Sequence, residues 1–398
     1  QVTQIANAFA TVMILSSISA GLFNLTTGSI SPATNVVVTA TKTPAGKPDI
    51  YYLVVDAYAR DDILREIFNH DNSDFVGFLE NTGFFVASQS NANYSQTVLS
   101  APSSLNMTYL DEIASAMGPN TRNTLPLAKM IASNRVVEFL AGLGYETVCF
   151  SSGVGFTELK GFDQYLSDSW IMSDFENMLL WMTPIPRIVF ALESKSTYNE
   201  ACRQRLLYTL ENLPNVPDHN RPRFIFAHFM APHAPFLFDA EGNELNPGGR
   251  LTFFDAGNFT DVNQYRQQYS DYVTWFNQQL TRTVSAILAN SDQPPVILLQ
   301  SDHGIDSYLM WGDSSEAAMR ERMAILNAYY LPDTTDVGFY DQISPVNSFQ
   351  VILNHLFGTG LPILEDRSYF SPYDYPYRFT DVTEQINPVE AEQTSLDK

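Results

Sequence analysis

Positive charge is scarce in this sequence: 22 Lys and Arg stand against 44 Asp and Glu, a formal charge of −22 at pH 7. That balance offers no basic face of the kind nucleic acid or an anionic bilayer surface requires, so neither is expected as the main partner. An anionic substrate would need local positive charge, which a bound metal ion can supply. Cysteine is scarcer still. Cys149 and Cys202 are not in a C-x-x-C pattern, and we expect two buried thiols, Cys149 on a strand and Cys202 in a helix; spacing alone does not decide whether they pair. There is no G-x-S-x-G elbow, which removes the ground for a Ser-His-Asp esterase. No internal repeat is present, and composition shows no domain break after residue 49.

Charge of either sign is missing before Lys42. Within that stretch Ile5 to Phe23 is apolar or small and about long enough to cross a bilayer, yet it lacks the basic start of a signal peptide. We expect residues 1–23 to hold a membrane-spanning or membrane-lying segment. The other reading is a hydrophobic strand or helix packed on the domain. Residues 24–48, rich in Thr, Ser, Gly and Pro, read as a linker, 49–383 as one large domain, and 384–398 as an acidic, polar tail.

What is abundant is apolar: 45% of residues are hydrophobic and 13% aromatic, enough for a large core. Three runs read as strands buried on both faces: Ile50 to Val55, Arg223 to Met230 and Val296 to Ser301. Further strands are expected at 84–87, 146–150 and 328–331. Helices are expected at 60–69, 73–81, 124–143, 199–212, 262–288, 315–323 and 345–357, with Asp71 or Ser73 capping the second and Gly83 ending it. Residues 161–200, with Trp170, Trp181 and the Pro184-Ile-Pro186 break, read as an irregular excursion. On 262–288 the stripe Val262, Tyr265, Tyr269, Val273, Phe276, Leu280, Val284 and Leu288 repeats at helical spacing and is read as core. Strands alternating with helices predict an α/β fold with a large, mostly parallel central sheet and helices on both faces.

The strand ends carry the chemistry. Asp56 closes the first run, Asp302-His303-Gly304 closes the last, and His233 lies just past the middle one in Pro232-His233-Ala-Pro235, where the prolines stiffen the chain. Gly304 is expected to let the backbone turn. Thr97 stands before a helix start, a position that favours an anion. In open α/β sheets sites form beyond the carboxyl ends of the strands, so Asp56, Thr97, His233, Asp302 and His303 can share one crevice. Two carboxylates, an imidazole and a hydroxyl make a mostly oxygen site for Mn²⁺, Mg²⁺ or Zn²⁺. Metal coordination would lower the pKa of the Thr97 hydroxyl and make it a nucleophile toward phosphorus or sulfur, with His233 binding a substrate oxygen or protonating the leaving group. Asp56 read alone is equally a helix N-cap. His228, inside an apolar run, reads first as a hydrogen-bonded core histidine and second as an additional ligand. His70, His219 and His355 read as surface or packing residues.

Pro48-Asp-Ile-Tyr-Tyr-Leu-Val-Val-Asp56, Tyr94-Ser-Gln-Thr97, Pro232-His233-Ala-Pro-Phe236 and Ser301-Asp302-His303-Gly304 together resemble, in order and over about residues 48–380, the sulfatase-like branch of the alkaline phosphatase superfamily. In style the set is similar to lipoteichoic acid synthases and phosphoethanolamine transferases. The resemblance implies an alkaline-phosphatase-like fold, with 49–383 as a sulfatase-like catalytic domain outside the cytoplasm, preceded by a membrane region. It makes Asp56, Thr97, Asp302 and His303 the ligands of one divalent ion, Thr97 also the nucleophile, and His233 the contact to the substrate oxyanion. The expected activity is hydrolysis or transfer of phosphate (or sulfate) esters of envelope lipids or glycopolymers. A non-catalytic subunit of a membrane complex is the alternative. The C/S-x-P-x-R signature of sulfatases is absent around Thr97-Val-Leu-Ser100-Ala, which speaks against sulfate esters, and Ser95 and Ser100 are the fallback nucleophiles. A second metal lacks clear ligands, His228 being the one spare candidate.

Overall fold

The computed structural model describes residues 38–42, 46–168, 196–217, 220–245, 261–309, 313–333 and 337–387. Ile5 to Phe23, His219, Trp170, Trp181 and most of the expected linker and tail lie outside the described residues. Among the described residues no helix is long and apolar enough to cross a membrane.

The chain runs β1 (Ile50–Val55), α1 (Asp61–Phe68), α2 (Ser73–Thr82), β2 (Phe85–Val86), α3 (Thr97–Asn106), α4 (Asp111–Met117), α5 (Leu125–Ala132), α6 (Arg135–Gly142), β3 (Glu146–Phe150), β4 (Gln164–Leu166), α7 (Ser196–Asn212), β5 (Arg223–Phe229), α8 (Val262–Asn290), β6 (Val296–Gln300), α9 (Glu316–Met323), β7 (Asn327–Tyr330), α10 (Pro345–Phe357), β8 (Tyr369–Phe370), β9 (Thr380–Asp381) and α11 (Thr383–Ile386). Seven strands form one sheet in the order β2-β7-β6-β1-β5-β3-β4. β1 pairs in parallel with β5 on one side and β6 on the other, so Ile50 faces Phe224 and Val296. β3 is parallel to β5 and to β4. Only β7 runs against its neighbours β6 and β2.

Every residue of β1 is buried. Successive side chains alternate between faces: Tyr51, Leu53 and Val55 pack into a core with α8, whereas Ile50, Tyr52 and Val54 pack into another with α10. The middle of the helical stripe on α8 is core, with Tyr265, Tyr269, Val273, Phe276, Leu280 and Val284 all buried, whereas Val262 and Leu288 at its two ends are half-buried. This is the α/β, mostly parallel architecture that the strand–helix alternation leads one to expect, and it agrees with the alkaline-phosphatase-like fold that the resemblance implies.

Several local expectations need correction. The helix expected over 124–143 is two helices, because the chain leaves helical geometry at Ser133 and Asn134, and Asn134 caps α6 by accepting from the Val137 amide. The excursion at 161–200 holds the edge strand β4 and the start of α7. Asn72, rather than Asp71 or Ser73, is the N-cap of α2, although Asp71 does accept from the Ser73 amide. Gly304 does not adopt a left-handed conformation. A Cβ there would lie 2.2 Å from the Glu321 carbonyl oxygen, so glycine is needed for close approach of two backbones. Cys149 and Cys202 are not joined by a disulfide; Cys149 is buried as expected, but Cys202 is only half-buried.

Candidate active site

Three neighbouring strands, β5, β1 and β6, end side by side, and their carboxyl ends build the site. Asp56 follows β1 directly. Its backbone is pinned on three sides: the Asp56 amide donates to Phe229 O (3.0 Å), the His233 amide donates to Asp56 O (3.0 Å), and the Tyr58 amide donates to Ser301 Oγ (2.9 Å). Ala57 sits between them at φ 60°, a left-handed conformation that costs an alanine energy. It is held there by the Tyr269 hydroxyl of α8, which donates to Ala57 O (2.8 Å) and accepts from the Ala59 amide (3.0 Å). The backbone turn that aims Asp56 is thus over-determined by β5, β6 and α8.

Asp56, Asp302, His228 and His303 meet in the interior, each nearly inaccessible to solvent. One oxygen of Asp56 faces His228 Nε2 at 3.2 Å and the other faces His303 Nε2 at 3.6 Å. His303 Nε2 also lies 3.5 Å from Asp302 Oδ2 and 3.2 Å from Thr97 Oγ1. Asp302 Oδ1 accepts a long bond from the Ala57 amide, 3.4 Å. Thr97, the first residue of α3, is half-buried. His233 is half-buried, its ring centre 6.4 Å from that of His303. The structure therefore brings Asp56, Thr97, Asp302 and His303 together with His233 beside them, and adds His228 to the same group.

The donor set fits a cation. Among the described residues Asp56 Oδ1, Asp302 Oδ2 and His228 Nε2 are all buried without a hydrogen-bond partner. Each of Asp56, His228 and Asp302 offers one ligand atom, and these atoms lie within 4.8 Å of one another. Buried polar atoms are otherwise almost always paired. The ring tautomers agree. His303 Nδ1 lies 3.0 Å from Gly304 O, and His233 Nδ1 lies 2.5 Å from Ala234 O. A carbonyl can only accept, so both Nδ1 atoms carry the hydrogen and each Nε2 keeps a lone pair for the site. In His228, Nδ1 lies 3.0 Å from Thr157 Oγ1, which in turn contacts Val154 O and Ser152 Oγ. Burial presses the Asp56 carboxyl toward neutrality, but the imidazoles of His233, His228 and His303 overcome it and hold the group well below the usual carboxylate range. Burial, then the Arg322 guanidinium, pushes His303 down and favours its neutral form; burial acts the same way on His228, where Asp56 outweighs it and raises the pKa.

Arg322, on α9, is a residue that sequence reasoning missed. Its Nε donates to Ser95 O (2.8 Å) and its Nη1 to Gly304 O (2.9 Å), tying the loop before Thr97 to the loop after His303. Ser301, Tyr269 and Thr157 were missed as well. Ser301 and Tyr269 anchor the backbone, and Thr157 orients an imidazole from behind. Of the fallback nucleophiles, Ser100 Oγ donates to Tyr94 O (2.9 Å) and Ser95 Oγ lies between Ser371 N and Ser371 O; both are buried. His70 Nδ1 pairs with Ser270 Oγ at 2.9 Å, away from the site.

A model of the sulfatase family matches residues 68–341, more than half of the chain, and the chain belongs to that family. Membership places it among hydrolases and transferases of phosphate or sulfate esters. No curated protein matches. Among solved structures, the C-terminal periplasmic domain of EcEptC from Escherichia coli, in complex with Zn, superimposes with a TM-score of 0.53 at 12% identity, covering 89% of this chain and 98% of that one. The integral membrane protein lipooligosaccharide phosphoethanolamine transferase A (EptA) from Neisseria meningitidis gives 0.49 at 14% identity, over 86% of this chain and 61% of that one. At such identities the EcEptC match establishes a common fold.

Proposed function

We propose that the chain is a metal-dependent, extracytoplasmic hydrolase or transferase of phosphate esters, with sulfate esters second, and that Thr97 is its nucleophile. The observation that carries this reading is the meeting of the Thr97 hydroxyl and three partnerless buried atoms, Asp56 Oδ1, Asp302 Oδ2 and His228 Nε2, beyond the ends of adjacent strands. Asp56, Asp302, His303 and Thr97 would hold the ion, with His228 on the second oxygen of Asp56. The imidazole of His303 moves the donor set toward Zn²⁺ or Mn²⁺ and away from Mg²⁺. A divalent ion there supplies charge that lowers the pKa of the Thr97 hydroxyl and neutralises the ester oxygens.

The protein's own groups do the rest. The tautomers set by Gly304 O and Ala234 O keep the Nε2 atoms of His303 and His233 aimed inward. Thr97 Oγ1, its proton lost to solvent, attacks phosphorus in line, and the Oγ–P bond forms as the P–O bond to the leaving group breaks. His233 Nε2, which holds a lone pair at rest, takes up a proton from solvent and gives it to the departing oxygen. Water or an acceptor alcohol then takes the phosphoryl group from Thr97, which distinguishes hydrolysis from transfer. A location outside the cytoplasm, beside a membrane, is supported by the apolar run Ile5 to Phe23 and by the fold shared with a periplasmic domain. An envelope lipid or glycopolymer as substrate is supported by the phosphoethanolamine transferases among the structural neighbours.

Thr97→Ala tests the reading. The variant should keep its melting temperature and lose turnover of a phosphodiester probe by roughly 10³-fold or more, the scale of losing a nucleophile. Wild-type protein quenched during turnover should carry one added phosphoryl mass on the peptide containing Thr97. Undiminished activity in the variant would place the nucleophile elsewhere.

A further inference from the structure

A small cavity adjoins the site on its β3 side. It is bounded by the turn after β3 (Ser151, Ser152, Gly153), by His228 near the end of β5, and by Arg205 and Thr209 of α7. Among the described residues no carboxylate lines it. In a chain of net charge −22, an arginine facing a cavity without an acidic neighbour is unusual. Arg205 Nε is buried and has no hydrogen-bond partner, and no ion pair reaches Arg205 among the described residues. A buried guanidinium N–H left without an acceptor is costly, so its retention calls for an explanation.

The surroundings are built to receive this arginine. Gly153 has φ +82°, and a Cβ there would lie 2.0 Å from Arg205 Nη1, so only glycine lets the guanidinium rest on this turn. The carboxylate of Glu158, beyond the turn, is already engaged by the Gly153 amide and by the hydroxyls of Ser151 and Tyr165. The cavity volume is about 30 Å³, room for one or two water-sized oxygens and no more. A planar fork of donors facing such a space suits the oxygens of one carboxylate or phosphate. The His228 ring both lines this cavity and presents Nε2 to Asp56, so the cavity is separate from the place where the ester would react, with one imidazole between them.

We infer that Arg205 and the turn at Ser151–Gly153 form a second anion subsite, which binds a carboxylate or phosphate carried by the substrate beside the ester that reacts. The inference rests on the function proposed above and narrows it to esters with a second anionic group. A free inorganic anion has the same chemistry and is the other source the test must separate.

Two measurements test it, each with Arg205→Met and Arg205→Lys. First, inorganic phosphate is titrated calorimetrically into metal-stripped protein, where the ester site has lost its main attraction for anions. Phosphate affinity should fall at least about tenfold in Arg205→Met and stay within about threefold in Arg205→Lys, which keeps the charge. Second, the metal-loaded protein is assayed on p-nitrophenyl phenyl phosphate and on its 3-carboxyphenyl counterpart. The ratio of kcat/KM for the carboxylated over the plain probe should fall about tenfold in Arg205→Met. Phosphate binding that is unchanged in Arg205→Met overturns the subsite. Lost phosphate binding with an unchanged ratio shows a site for free anions and overturns its role toward substrate. An equal loss on both probes places Arg205 on the reacting ester and also overturns it. If wild-type protein turns over neither probe while phosphate binding still depends on Arg205, the anion subsite stands and the proposed function fails.

Discussion

Replacing Asp56 by Asn separates a metal ligand from a structural ion-pair partner. Asp56 Oδ1 has no hydrogen-bond partner among the described residues, and the other oxygen faces His228 Nε2 at 3.2 Å. An asparagine amide can donate to that nitrogen and carries no charge to desolvate, so the variant in chelator should be about as stable as wild type. The metal response should differ sharply. An ion at 100 times its Kd stabilises the native state by about 2.7 kcal/mol. The compact unit spans Val38–Lys398, and at roughly 2.1 cal/mol/K per residue its unfolding entropy is about 0.75 kcal/mol/K, so the shift in Tm is about 4 °C. Losing one charged ligand weakens affinity by about 100-fold or more. At the same ion concentration the stabilisation then drops to about 0.4 kcal/mol, a shift under about 1 °C. Scanning calorimetry with and without Zn²⁺ or Mn²⁺ reads both numbers. A full metal shift in Asp56→Asn would refute the assignment of Asp56 as a ligand. A metal-free variant about 3 kcal/mol or more below wild type would instead show that the carboxylate works chiefly as a buried partner for His228.

Other changes test the framework around the site. Gly304→Ala pushes a Cβ to 2.2 Å from Glu321 O and 3.0 Å from Ala324 O; it should cost about 3 kcal/mol and weaken metal binding because the loop after His303 must move, and a variant with wild-type Tm and metal affinity would refute the close-contact account. Glu321 is buried, accepts from Ser307 Oγ and from the Tyr308 amide (3.0 Å), and burial pushes its pKa up to about 7. The folded state therefore keeps this proton to higher pH than the unfolded chain, so stability from this group is present below its ordinary value near 4.5 and is lost as pH rises through about 7. Glu321→Gln should flatten that slope, worth about 3 kcal/mol at most, as read by chemical denaturation at a series of pH values; identical slopes would remove the basis for a raised pKa. Arg322→Gln should lower kcat more than it raises KM, since it loosens both the Ser95 and the Gly304 loops; a pure KM effect would mean that the arginine touches substrate instead.

The central sheet was legible because β1, β5 and β6 are continuous apolar runs that stop at polar residues, a pattern that burial on both faces imposes. The break between α5 and α6 was not, because Ser133 and Asn134 fall on polar positions of a period that continues through them. β4, three residues long, and α4, seven, are held by neighbours more than by their own pattern. In the site, Asp56 and Asp302-His303 stood out as acidic or basic ends of apolar runs. His228 did not, because it lies within such a run, where a core histidine is the simpler reading. Its register explains its place: it pairs with Val54 of β1, two residues before Asp56. Tyr269 and Arg322 were hidden for another reason. Their work is to hold backbone through main-chain hydrogen bonds, and their spacing reads as ordinary helix surface or core.

The placement of β1 between β5 and β6 has a consequence for the order of events during synthesis. Asp56 and Thr97 leave the ribosome before His228, and Asp302 and His303 follow it. β1 gains its first parallel neighbour only when β5 has emerged, and its second only with β6. Contacts so distant in sequence form late and slowly. Between the emergence of Asp56 and that of Asp302 the nascent chain therefore carries Asp56 and Thr97 without their partners, and under the proposed function metal capture would mark a chain made through His303.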